Sequence, residues 1–256
     1  MLELNLSSRH DIQPRPAMPH HITSSLAWSE AEVMEAQRLR YKVFAEEMGA
    51  TPASIKEGVD RDIFDKYCEH LMLRDSTQNR TVGALRILSP EQAQKIGGYH
   101  AQTGFDLTRL LPLADRMAEI GRVCIHWDYR DAATITQLWS SLVQHMQQQG
   151  HDYLLGCVSL SIADGGHRAA SIYRKLHRIY AAPVEYSVFP RCPLPQDNVD
   201  QYLDAPIPPL LKGFLRVGAY ICGQPAWDQE YNTAELLLLL PRSRLSSNYV
   251  RHFPAL

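Results

Sequence analysis

No stretch of this chain approaches the ~20 consecutive apolar residues that a membrane span requires. Its longest pure apolar run, LLLLL at 236–240, has the length of a strand. An excess of positive charge is also missing. Lys and Arg number 26 against 28 Asp and Glu, for a net charge of −2 and a pI near 6.6. A nucleic-acid partner, which asks for a basic balance, is therefore not expected. Cysteine is sparse and unpatterned: Cys68, Cys124, Cys157, Cys192 and Cys222 make an odd set with no C-x-x-C pair. That argues against a zinc or disulfide framework and for small packed side chains in a reducing compartment. The chain has no G-x-S-x-G elbow, Walker loop, G-x-G-x-x-G turn or H-E-x-x-H pair, so serine-hydrolase, nucleotide and zincin chemistries lack their signatures. Histidines such as His70, His126, His167 and His177 read as packed or surface residues, not metal ligands. The start, MLELNLSSRHDIQPRP, carries Glu3 and no apolar stretch of signal-peptide length, so no signal peptide is expected there.

What remains is an ordinary globular composition, 45% apolar over 256 residues, enough for a sizeable core. Residues 1–20 read as a loose, proline-interrupted arm. WSEAEVMEAQRLRYKVFAEEMG predicts a helix capped by Ser29 and ended by Gly49. Residues 50–66 predict a loop. EHLMLRD and TVGALRIL predict a hairpin around STQN, and SPEQAQKI a short helix with Pro90 at its first position. The spacing then predicts a strand at MAEIGRVCIH, a helix closed by Gly150 and a strand at YLLGCVSLSI. A helix at GGHRAASIYRKLHRI and a strand at PVEYSVF follow. After a proline-rich excursion from about 193, LLKGFLRVGAYI predicts helix and TAELLLLLP strand. This order defines an α/β domain over 21–256, with a mixed central sheet flanked by helices and a C-terminal elaboration.

Charged residues lie where a sheet should be apolar. Arg86 sits in GALRIL; Glu119 and Arg122 sit in AEIGR. Three apart, the last two face opposite sides of a regular strand, and a bulge at Gly121 would bring them to one side. A charge in a central strand is costly unless paired. The set therefore reads either as an ion pair holding the sheet or as a base whose pKa is raised by burial and which takes a proton from an amine. The segment DRDIFDKYCEHL places Asp60, Asp62 and Asp65 around Phe64, just before the first strand of the hairpin. A solvated charge run is the plain reading of such a segment.

RLRYKVFAEEMG, EGVDRDIFDKYCEHL, TVGALRIL and AEIGRVCIHWDYRD, in that order, resemble the acyl-carrier-protein-dependent branch of the GNAT N-acyltransferases. That branch includes the acyl-homoserine-lactone synthases, N-acyl amino acid synthases and ornithine lipid synthases. The fuller aspartate loop and the tail PPLLKGFLRVGAYICGQPAWDQEYNTAELLLLLP are most similar to the last group. The resemblance implies a GNAT fold in which a splayed sheet holds the acyl thioester. It also implies transfer of a 3-hydroxyacyl chain from acyl carrier protein to the α-amine of ornithine, giving a lyso-ornithine lipid. Arg40, Phe44, Asp60, Asp62, Asp65, Arg86, Glu119 and Arg122 occupy the matching positions. On this reading at least one of Asp60 and Asp62 faces the acceptor, Asp65 pairs with an arginine such as Arg40, and Glu119, with Arg122 the other catalytic position, is the base, directly or through a water. N–H groups near Val123 and Cys124 stabilise the oxyanion. No bound cofactor is implied, since the donor rides on the carrier protein's phosphopantetheine.

The turn YRDAATI departs from the glycine-rich pyrophosphate cradle of coenzyme A-dependent relatives, keeping Arg130 but not the glycines. That favours a carrier-protein donor, which Arg168, Arg174, Lys175 and Arg178 could meet; a solvated helix face accounts for them equally well. Other acceptors (glutamine, lysine, glycine, tyrosine), lactone synthesis and a non-catalytic binding module remain open. The expected setting is the cytoplasm, with contact at the inner membrane left open by an amphiphilic product.

Overall fold

A computed structural model of the chain describes residues 21–50, 55–56, 58–195, 199–229 and 231–245. The expected arm over residues 1–20 lies outside them. The elements in chain order are β1 (Ile22–Leu26), α1 (Glu30–Tyr41), β2 (Ile55–Lys56), β3 (Val59–Asp60), β4 (Glu69–Asp75), β5 (Arg80–Leu88), α2 (Pro90–Ile96), β6 (Phe105–Asp106) and β7 (Met117–Ile125). Then come α3 (Ala132–Gln148), β8 (Tyr153–Ser161), α4 (His167–Tyr180), β9 (Phe189–Pro190), α5 (Pro209–Val217), β10 (Tyr220–Ile221), β11 (Ala226–Asp228) and β12 (Thr233–Pro241).

One eight-stranded sheet runs β1-β4-β5-β7-β8-β12-β10, with β11 also on β12. Among the described residues its pairs are antiparallel except β7 with β8, which need the crossover that α3 supplies. The helices start as their sequences dictate. The Ser29, Ser89 and Asp131 side chains accept from the backbone N–H groups of Glu32, Gln92 and Thr134, each satisfying an otherwise orphaned donor.

The core lies on both faces of the sheet. Leu138, Trp139, Leu142 and Met146 of α3 and Phe214 of α5 cover one face, and the Trp139 and Phe214 rings stack with centroids 4.7 Å apart. Leu88, Tyr99, Phe105, Leu110 and Met117 cover the other. The run LLLLL divides by strand periodicity: Leu236, Leu238 and Leu240 enter the first cluster, Leu237 and Leu239 the second. An all-apolar strand is thus buried on both faces.

Two features open this sheet. β7 and β8 pair only from Met117↔Tyr153 to Ile120↔Gly156. Beyond that, β7 stays with β5 and β8 with β12. Gly156 marks the last close approach: a Cβ there would lie 2.8 Å from Ile120 Cγ1 and 3.2 Å from Ile120 O. Side chains turn from buried to half-buried at Gly121–Val123 on one strand and at Cys157 and Val158 on the other. The second feature is a bulge. β7 spends three residues, Cys124 to Gly121, where β5 spends two, Ala84 to Arg86, and Arg122 takes φ +52°.

Some expectations are corrected. PVEYSVF is not a strand: Val184–Tyr186 form a 3-10 turn, and only Phe189–Pro190 pair, with β6. Val184 stands 72% exposed, so the stretch has no second surface to bury. The first helix ends at Tyr41 and continues as a π-helical turn, Lys42–Glu47, a form that often marks functional sites. The last predicted helix stops at Val217, where Gly218 takes φ +126°, and its final residues become β10. β1, whose Ser and Thr gave little apolar signal, is an edge strand on β4.

Candidate active site

The charged residues singled out in the sequence converge on the β5–β7 side of the opening. α1 turns Arg40 inward, where it is 1% exposed. Its Nε donates to Asp60 Oδ2 at 2.9 Å, and its two terminal nitrogens grip Asp65 at 2.5 and 3.2 Å. Arg86 of β5 donates to Asp62 at 2.6 Å and lies 3.4 Å from Asp65. Arg122, lifted out by the bulge, reaches Asp62 at 3.2 Å and Asp60 at 3.5 Å. Three guanidinium groups thus face three carboxylates, which makes burial tolerable. Burial disfavours the charge on Asp62, yet Arg86 and Arg122 outweigh it and hold the carboxyl well below its usual range. Asp65 is held down in the same way, against burial, by Arg40 and Arg86.

The aspartate loop is built from its own side chains. Asp62 Oδ1 accepts from Phe64 N and Asp65 Oδ2 from Asp62 N, both at 2.9 Å. Phe64 packs under the sheet, its ring 5.5 Å from the Arg86 guanidinium carbon. Of the two carboxylates expected to include an acceptor-facing one, Asp60 is 1% exposed and committed to Arg40 and Arg122, and Asp62 is the more open at 15%. Phe44 lies in the π-helical turn, packed against the cluster of Ala36, Leu39, Met72 and Cys124.

Glu119 is buried on β7, and both its oxygens are engaged. His100 N donates to Oε2 at 2.6 Å and Ala101 N to Oε1 at 2.7 Å. Burial pushes the carboxyl up to about 7, against the pull of these donors and Arg86. Glu119 therefore anchors the 3-10 turn His100–Thr103, which the sequence reading left without a role. The His100 ring meets Phe64 edge-on at 5.2 Å. Burial, then Arg86 and Arg122, bring its pKa down to about 4, so it is a neutral imidazole.

The far wall also went unnoticed in the sequence. Tyr231 lies 5.2 Å from the Arg122 guanidinium carbon, Asp228 Oδ1 accepts from Tyr231 N, and Glu235 of β12 accepts from Thr233 Oγ1 at 2.8 Å. Burial raises the Glu235 carboxyl and Asp228 adds to the effect.

The expected donor residues divide. Val123 sits half-buried in the bulge without a ladder partner on β5, so its amide lies where the sheet opens. Cys124 pairs with Ala84, and burial pushes its thiol up to about 12, which makes it a packing residue and not a nucleophile. Arg130 is fixed by Glu47 at 2.5 and 2.6 Å and donates from Nε to Ile125 O. At the N-terminus of α3, where the sequence departs from the glycine-rich cradle, the Asp131 carboxylate caps the helix by accepting from Thr134 N. Arg168 and Arg174 stand on α4, away from the ion-pair set: Arg168 Nε lies 3.9 Å from Asp164, and Arg174 stacks on Tyr202 at 4.0 Å.

A sheet split between its parallel strands, with a bulged strand at the split, is the arrangement of the GNAT fold class, and the acetyltransferase (GNAT) domain model matches residues 39–140. The chain is 32% identical over 247 residues to the L-ornithine N(alpha)-acyltransferase of Brucella abortus (strain 2308), covering 90% of this chain and 88% of that one. It is 31% identical over 251 residues to the protein of that name from Rhodobacter capsulatus, covering 91% and 95%. The chain belongs to the L-ornithine N(alpha)-acyltransferase family. In fold it resembles the AHL synthase LasI (TM-score 0.54, 12% identity, 93% and 98% covered) and FeeM, an N-acyl amino acid synthase from uncultured soil microbes (TM-score 0.52, 10% identity, 88% and 94% covered). No helix among the described residues is long and apolar enough to cross a membrane.

Proposed function

We propose that this protein transfers a 3-hydroxyacyl chain from acyl carrier protein to the α-amine of ornithine, releasing a lyso-ornithine lipid. The observation that carries the reading is the preformed Arg40–Arg86–Arg122 and Asp60–Asp62–Asp65 set at the point where β7 and β8 part. A thioester lying in the split places its carbonyl beside Val123, whose N–H supplies the oxyanion contact. Arg122, the most open of the three arginines at 14% exposure, receives the acceptor's carboxylate. The acceptor's side-chain cation faces Asp62 on the near wall and Asp228 and Glu235 on the far wall. Holding both reactants in the split converts a bimolecular attack into a positioned one.

The α-nitrogen attacks the thioester carbon, the C–S bond breaks and the carrier's thiol leaves. Cysteine takes no part: burial pushes Cys68, the cysteine of the aspartate loop, up to about 12, and direct transfer gives sequential kinetics. The N-terminus of α3 supports a carrier-protein donor over coenzyme A, because it lacks the glycine turn and carries the Asp131 carboxylate as its cap, which disfavours a second anion there. The setting we propose is the cytoplasm, with the amphiphilic product leaving at the inner membrane surface.

Mass spectrometry of products from purified protein, 3-hydroxyacyl carrier protein and a panel of amino acids tests the reading, with matched acyl-coenzyme A as rival donor. N-acyl ornithine made only from the carrier is the expected result. Another acylated amino acid changes the acceptor. No product from folded protein overturns the reading.

A further inference from the structure

The reaction needs a group to take a proton from the acceptor's ammonium, and the carboxylate expected to do so is otherwise engaged. Both oxygens of Glu119 already accept short backbone hydrogen bonds, from His100 and Ala101. Those bonds hold His100 at the start of its 3-10 turn, and Tyr99 before it is fixed by its hydroxyl to Met117 O at 2.6 Å and Ala114 O at 2.8 Å. The imidazole is thus carried on a clamped backbone. His100 as a residue is half-buried, not sealed, and its ring leans on Phe64, which also carries Arg86.

We infer that His100 is the proton acceptor in acyl transfer and that Glu119 is the positioning residue that aims it. This rests on the amino acid acylation proposed above. His100 takes one proton from the α-ammonium, and the freed lone pair forms the N–C bond as the C–S bond breaks. The nitrogen's second departing proton goes to the leaving sulfur, which departs as the thiol. His100 then returns its proton to water.

The charges around the ring make this base respond to substrate. Arg86 on β5 and Arg122 on β7 oppose its protonation; Asp62 in the aspartate loop and Asp228 on β11 favour it. The Glu119 carboxylate grips its backbone N–H. In the free protein burial and the two arginines prevail, and the ring stays neutral and ready to accept. An acceptor carboxylate arriving at Arg122 offsets the repulsion that keeps protons off His100, so its basicity rises when the amine is in place. The same arginines disfavour the acceptor's ammonium form.

The test uses the full-length protein and a wild-type assay run first. If wild type makes no N-acyl amino acid, the parent reading fails and is recognised as failing. Given wild-type turnover, His100→Ala should lower kcat by about 10²-fold, and added imidazole should restore turnover in proportion to its free-base concentration. The acid limb should lie at higher pH in the wild-type kcat profile, which reports the substrate complex, than in the kcat/KM profile, which reports the free enzyme. Both limbs should vanish or move in His100→Gln. Glu119→Gln should lower kcat yet keep an acid limb, because His100 is still present. Retention of kcat within about twofold in His100→Ala, or an unchanged acid limb in His100→Gln, overturns the assignment. If His100→Ala does not fold, His100→Gln decides by the same profile.

Discussion

On the α1 side of the opening, cations are buried and committed. Arg40 is 1% exposed with two aspartates on its guanidinium, and Arg86 is 5% exposed between two more carboxylate contacts. On α4 the cations stand in water: Arg168 is 72% exposed and Lys175 55%, with partners at 3.9 and 3.5 Å. The first arrangement fixes a shape, because a buried guanidinium without its carboxylate is intolerable. The second leaves charge available to a partner, since exposed pairs at such distances contribute little to stability. Similar residue types are buried and paired on one side and solvated on the other.

The widest gap between the two sides is expected in stability. Arg40→Met or Asp65→Asn strands a buried charge and should cost about 3–5 kcal/mol, read as a lowered denaturant midpoint. Glu119→Gln comes next. Glutamine keeps one acceptor oxygen but presents an amide N–H₂ to the second backbone donor, so one buried N–H of the His100 turn loses its partner at about 1–3 kcal/mol. On the proposed reading its kcat should fall with it while the donor KM holds, since the anchored turn lies beside the ion-pair set and not on α4.

A smaller effect separates the two sides by pH. His100 has its pKa lowered from 6.5 to about 4, so between these values the unfolded chain binds more protons than the folded one. Its contribution is present above pH 6.5 and is lost as pH falls through 4. His70, His126 and His151 are lowered too, burial being the first cause in each, and they act in the same direction below pH 6.5. The expected result is a difference: His100→Gln should lose less stability than wild type between pH 6.5 and 4. Asp62 and Asp65 act at lower pH, where protonation removes their pairing with the arginines. Identical slopes in variant and wild type would show that neither burial nor Arg86 and Arg122 lowers the imidazole's pKa in the folded protein.

The near wall was readable because its parts carry unlike charges in strand and loop patterns. Arg86 and Arg122 in apolar strands demanded partners, though the sequence alone tied only Asp65 to an arginine such as Arg40, and the three-residue spacing of Glu119 and Arg122 allowed for a bulge, found with Arg122 at positive φ. His100 was not readable. It lies in GGYHAQTGF, where no periodicity places it, and its position depends on a carboxylate 19 residues away in sequence. Glu235 was hidden by its neighbours, one charge before a leucine run that reads as strand whatever faces the split. Tyr231 meets Arg122 only through the turn that follows β11 and the pairing of β11 with β12. The misread PVEYSVF has strand-like residues but no surface to cover it, a property of tertiary packing that propensity does not contain.

The mildest expected effect tests the α4 side alone. Arg168→Glu with Arg174→Glu changes exposed charges, so stability should move by about 0.5 kcal/mol or less, apart from the stacking of Arg174 on Tyr202. If α4 meets an acidic carrier, the double reversal should raise KM for the carrier-bound donor several-fold and leave kcat at saturation unchanged. The wild-type advantage should shrink as salt is raised, because exposed charges are screened within about 10 Å at 0.1 M. The local competitors matter here. Tyr202 stacks on Arg174 and Asp204 lies 3.5 Å from Lys175, so part of the basic face is already answered by the chain itself. Replacing Asp204 with Asn should then act in the opposite sense and lower the donor KM. If both variants leave the donor KM unchanged at low salt, α4 is a solvated face, and the carrier must approach along another edge of the split.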